Sequence, residues 1–145
     1  MKCTIEEQLV RDGFILKLTK GVSMEPMLRQ FREESLIRTL DREPRKYDVV
    51  LFKRRDGTYV LHRIVGRRGE TFLIRGDNCM GTETVERDQI LGILSGFYRG
   101  ETYVDCATDQ AYLQYARRRV ATFPLRRWKS HLTQLFDGIR RKLQM

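Results

Sequence analysis

The chain contains no run of eighteen or more apolar residues, so no membrane-spanning helix is predicted. Its N-terminal stretch carries Glu6 and Glu7 where a secretory leader would carry a hydrophobic core, so no cleavable leader is expected either. Cysteine is scarce. Cys3, Cys79 and Cys106 are odd in number and lack the paired spacing of a zinc site, which excludes a disulfide-built scaffold and points to free thiols in a cytoplasmic setting. Histidine is scarcer still. His62 and His131 lie in different kinds of segment, so a metal centre built from His62, Asp77 and Cys79 carries little weight, and no metal or cofactor is expected. Helix-turn-helix and base-reading patterns are missing too, which places nucleic acid last among the partner classes weighed.

What remains is a chain of 145 residues, 41% hydrophobic, enough for one core with an appendage. Apolar and β-branched runs punctuated by turns predict a mainly β domain over residues 1–105. Residues 14–19 read as a strand ending at Gly21, and residues 36–39 and 48–52 as two more, with a turn at Glu43-Pro44 between them. Residues 58–65 follow after Arg54-Arg55-Asp56-Gly57, a spacing that predicts a hairpin with residues 48–52.

Three polar residues stand out in this frame. Ser23 follows the first strand in Gly21-Val22-Ser23-Met24-Glu25-Pro26, where Pro26 lacks a donor and disfavours helix at Glu25, so the segment is predicted to be an exposed, non-helical loop. His62 sits mid-strand. Side chains alternate there, so Val60, His62 and Ile64 share one face while Tyr59, Leu61, Arg63 and Val65 share the other. Asp77 lies in the turn Gly76-Asp77-Asn78. Taken singly, each has an ordinary reading: a turn serine, a core histidine with a satisfied hydrogen bond, a turn aspartate accepting backbone donors. Taken together they supply a hydroxyl nucleophile, a base to accept its proton and a carboxylate to hold that base in one tautomer.

In order and setting these residues resemble the type I signal peptidase family, whose fold is shared with LexA-like autoproteolytic repressors. The resemblance runs from about Phe14 to Tyr98: Gly21-Val22-Ser23-Met24-Glu25-Pro26 resembles the family's Ser-Met-x-Pro box, residues 48–52 with 60–66 its paired strands, Arg75-Gly76-Asp77-Asn78 its Gly-Asp-Asn box, and residues 89–94 the strand that follows. It implies a coiled β-sheet barrel and a serine endopeptidase acting on a peptide or protein substrate, with Ser23, His62 and Asp77 in the catalytic roles. Most bacterial members have a lysine base, whereas His62 resembles the branch typified by the endoplasmic-reticulum enzyme; Lys53 lies on the preceding strand and does not align with the family lysine. An imidazole with a pKa of about 6.5 is mostly neutral at pH 7, so no costly desolvation of an ammonium is required. Gly21 stands where some relatives place a hydroxyl donor, which leaves the Ser23 amide as the main oxyanion donor and puts Gly21, Met24 and Pro26 at the substrate. Gly21 would either admit substrate backbone or serve only to reach a positive φ. Glu83, Asp88 and Asp105 stay open as alternative orienting carboxylates. The second reading, from another class, is a non-catalytic member serving as a peptide-binding module or membrane-surface adaptor.

The remaining feature is residues 106–145. From Ala111 onward nine Arg and Lys residues face Asp137 alone, so nearly all of the formal net charge of +9 is concentrated there. Tyr112, Tyr115, Ala116 and Val120 recur at helical spacing, as do Trp128, Leu132, Leu135, Phe136, Ile139 and Leu143 after Pro124, predicting two amphipathic helices split near Phe123-Pro124. Their apolar stripes either pack on the β domain or lie in an anionic membrane interface. The expected location is cytoplasmic, peripheral on the inner face of the membrane where the tail engages lipid.

Overall fold

The computed structural model describes residues 2–144. Its elements run α1 (Ile5–Asp12), β1 (Phe14–Leu18), β2 (Glu33–Thr39), β3 (Val49–Lys53), β4 (Tyr59–Arg68), β5 (Thr71–Arg75), β6 (Glu83–Val85), β7 (Ile90–Arg99), β8 (Thr102–Asp105), α2 (Gln110–Ala121) and α3 (Phe123–Leu143). The strands form one eight-stranded antiparallel sheet in the order β1-β2-β7-β3-β4-β5-β6, with β8 added to β7. β1 and β6 end this path without pairing to each other, so the hydrogen-bonded sheet is open. The expected strands and hairpin are present. β3 and β4 pair from Val49↔Arg63 to Lys53↔Tyr59, and the turn closes through Gly57 N–H to Arg54 O at 2.9 Å.

Both faces of the central strands are buried, which is why β3 reads as an unbroken apolar run rather than an alternation. On one face Val49, Leu51, Ile37, Leu94 and Phe97 pack with Leu9 of α1, Tyr112 of α2 and the loop residues Met24, Met27 and Leu28. On the other, the β5–β6 end curls back so that Phe72, Ile74 and Val85 meet Val50, Phe52, Ile90 and Ile93. Register irregularities at Leu36/Ile37, Leu51/Phe52 and Ile64/Gly66 supply local bending.

α1 is fixed at its start by a capping box in which Thr4 and Glu7 exchange side chain to backbone bonds, and at its end by Gly13 at φ 77°. Glu6 on this helix accepts from Lys53 Nζ and Tyr59 Oη, each at 2.8 Å, tying it to the β3–β4 hairpin. The two tail helices break at Thr122, next to Phe123-Pro124. α2 buries Tyr112 and Ala116, whereas α3 buries none of its residues.

Candidate functional site

Ser23 lies in a tight turn: Glu25 N–H donates to Val22 O and Leu28 N–H to Met24 O, so the chain reverses immediately after the serine. The segment is pinned from below by the Gly76–Cys79 turn. Asn78 N–H donates to Ser23 O at 2.8 Å, Asn78 Nδ2 to Val22 O at 3.1 Å, and Asp77 N–H points at Met24 Sδ at 3.4 Å. Gly76 lets the two segments touch. A Cβ there would stand 2.7 Å from Ser23 O, 2.7 Å from Cys79 Sγ and 3.0 Å from His62 Nε2. The same glycine Cα therefore borders both the serine segment and the imidazole, and close approach is the reason for glycine at this position.

Ser23 and His62 share the wall of a cleft of about 460 Å³. Its mouth is edged by Lys17, Lys20 and Gly21, and its floor is apolar, with Met24, Leu28, Ile37, Leu51 and Leu61. One polar atom interrupts that floor: Ser35 Oγ, buried and without a hydrogen-bond partner among the described residues. His62 is only 7% exposed and stands edge-on to Phe52 with ring centroids 6.2 Å apart. Burial disfavours its charged form and moves its pKa below the ordinary 6.5, so the imidazole is a neutral base at pH 7. The Ser23 amide has no acceptor among the described residues, leaving a donor free beside the hydroxyl.

Asp77 does not take the place expected of it. Its carboxylate is clamped by Arg63, Nε to Oδ1 at 2.8 Å and Nη2 to Oδ2 at 2.9 Å, and accepts from Tyr115 Oη at 2.9 Å, with no bond to His62. The reason is the alternation of β4: His62 and Arg63 are consecutive and point to opposite faces, and Asp77 lies on the arginine side. Arg63 is fully buried and also donates to Tyr47 O and Tyr112 Oη. Behind Asp77, Arg119 and Arg126 both donate to its carbonyl at 2.9 Å, so α2 and the root of α3 brace the Gly76–Cys79 turn that underlies the Ser23 segment.

The other expected residues sort clearly. Gly21 lines the cleft at φ 80° with nothing near its Cβ position, so its backbone conformation alone calls for glycine. Met24 lines the cleft and is part of the core. Pro26 is absent from the Ser23 cleft; the reversal after Met24 carries it to a separate cavity beside Met27, Phe97 and Tyr112. None of the alternative carboxylates bonds His62: Glu83 pairs with Arg54, Asp88 with Arg55, and Asp105 accepts from Ala107 N–H. Lys53 is held charged by Glu6, which raises its pKa and removes it as a neutral amine base. Cys79 lines the cleft with its thiol pKa raised by burial, so it is a poor nucleophile at neutral pH.

No family model matches the chain, and no curated protein matches it significantly. The spacing of Arg63, Tyr112 and Tyr115 was visible in the sequence, but their convergence around Asp77 was not. The signal for Arg63 was its placement among Tyr59, Leu61 and Val65, an apolar face on which a guanidinium requires a buried acid.

Proposed function

We propose that the chain is a serine endopeptidase working through a Ser23–His62 dyad on a peptide or protein substrate, on a scaffold of the signal-peptidase and LexA-like kind. The observation that supports it most is the convergence of a neutral, unpaired imidazole and the Ser23 segment on Gly76 at the wall of one cleft. In this reading His62 accepts the Ser23 hydroxyl proton as Oγ attacks the scissile carbonyl, and the Ser23 amide donates to the developing oxyanion. The C–N bond then breaks, the imidazolium returns its proton to the leaving amine, and an acyl-enzyme remains. A water deprotonated by His62 hydrolyses that ester and regenerates Ser23. Asp77 contributes by holding the turn beneath Ser23, not by touching the base. Lysine edging at Lys17 and Lys20 suits acidic or polar substrate flanks, and the apolar floor suits aliphatic side chains.

A second reading, a peptide-binding module, draws on the diversion of Asp77 to Arg63, which leaves His62 without an orienting carboxylate. The test is incubation of a proteome-derived peptide library with the protein and identification of new termini by mass spectrometry. New termini from the native chain, reduced on the order of 10⁴-fold or more by Ser23→Ala, are expected. Equal cleavage by both proteins overturns Ser23 as the nucleophile, and cleavage by neither with retained peptide binding gives the site to the binding module.

A further inference from the structure

We propose that α3 is an interfacial helix that docks the protein on an anionic lipid surface. The helix spans 21 residues and buries none of them. Leu125, Trp128, Leu135, Phe136, Ile139 and Leu143 are all exposed, Trp128 and Phe136 at 62% each. At 3.6 residues per turn these side chains and Leu132 fall within an arc about 100° wide. Lys129 and Arg140 border one margin of that arc, Lys142 the other, and Arg127 and Arg141 cover the opposite face, with Asp137 the one acid of the helix. A stripe of Trp, Leu and Phe between cationic margins matches acyl chains below and anionic headgroups at the sides.

Charge decides against the other occupants. In a pair formed with a second copy, the margins of the two stripes would bring Lys129, Arg140 and Lys142 against cations of the same set, with almost no acid to relieve them. Nucleic acid would engage the cations and leave the apolar stripe in water. The attachment is also mechanically connected. Arg126, in the first turns of α3, donates to Asp77 O and to Arg119 O, and Arg75 stacks on Phe123 with its guanidinium carbon 3.2 Å from the ring centroid. A surface-bound α3 thereby holds the cleft at a fixed place near the lipid. The inference is independent of the peptidase reading, because Ser23→Ala protein reads α3 alone.

Trp128 is the single tryptophan of the chain and reports directly on its own stripe. Its emission is to be recorded for the full chain, and for Ser23→Ala, with phosphatidylcholine vesicles and with vesicles containing phosphatidylglycerol. A blue shift with protection from iodide is expected for the anionic vesicles, with binding weakened at least about tenfold at high salt. Lys129→Gln/Arg140→Gln/Lys142→Gln is expected to weaken it roughly a hundredfold. Leu135→Ser/Phe136→Ser, on exposed positions that leave the fold intact, is expected to abolish the shift. An emission unchanged by anionic vesicles overturns the proposal. So does a shift that grows with protein concentration in the absence of lipid, which assigns the stripe to a second copy, or one produced equally by duplex DNA.

Discussion

Removing the Asp77 carboxylate tests what that residue does. Arg63 and Asp77 are 1% and 2% exposed in their side chains and joined by two parallel N–H···O bonds. Breaking such a pair from one side strands a buried guanidinium with Tyr47 O, Tyr112 Oη and the weak acceptor Met27 Sδ in place of a carboxylate. The cost is about 3–5 kcal/mol. Tyr115 Oη loses its acceptor as well. For a chain of this size that corresponds to a fall in Tm on the order of 10 °C. Urea denaturation of Asp77→Ala, Arg63→Met and the double variant measures it. Since a neutral pair avoids the stranded charge, the double variant should lose less than the sum of the singles by about 2–3 kcal/mol. A carboxylate that instead oriented His62 would leave stability near the native value on Asp77→Asn and change the pH dependence of cleavage. A stability loss under about 1 kcal/mol, or strict additivity of the two substitutions, refutes the clamp.

Three further outcomes follow from the same contacts. Gly76→Ala forces a methyl to within 2.7 Å of Ser23 O, an oxygen already fixed by Asn78 N–H, so stability should fall by about 1–3 kcal/mol and cleavage with it, measured by thermal melts and peptide turnover. Ser35→Ala removes a buried hydroxyl without a partner, so the free protein should gain roughly 1 kcal/mol in urea melts, and a substrate that bonds this hydroxyl should show a raised KM with little change in kcat. Burial lowers the His62 pKa, so cleavage should persist below pH 6.5 and fall only as pH drops through the lower folded value; stability should decline as pH falls from the unfolded value of about 6.5 towards that folded value, because the unfolded chain takes up the proton first. An acid limb of kcat/KM at or above 6.5 contradicts the buried base.

The long strands were legible because their composition is strongly apolar and their turns are marked by Pro44 and by Asp56-Gly57. β5, β6 and β8 were not foreseen: β6 and β8 are only three and four residues long, and β5, though as long as β1 and β3, has no turn of the Pro or Asp-Gly kind pairing it with a neighbour. α1 was not foreseen either: its start is marked only by the Thr-x-x-Glu signature at Thr4 and Glu7, and its apolar content is weak. The tail helices were visible from their spacing, but spacing cannot say which stripe is covered. α2 is held because Tyr112 and Tyr115 reach the Arg63–Asp77 pair, and α3 offers no comparable group beyond Arg126.

The competition for Asp77 shows how one strand divides two tasks. A buried guanidinium cannot shed its charge, so it must have a carboxylate; a buried imidazole can shed its proton and needs none. With His62 and Arg63 adjacent on β4 and one buried acid within reach, the acid goes to the group that cannot be neutralised. The imidazole is then left neutral chiefly by burial, without a carboxylate partner. A lysine at position 62 would need the same burial to lose a proton held near pH 10, a much larger shift than histidine requires. The histidine therefore lets the clamp and a neutral buried imidazole coexist on consecutive residues, the clamp fixing the turn under Ser23 and the imidazole lining the same cleft as the serine.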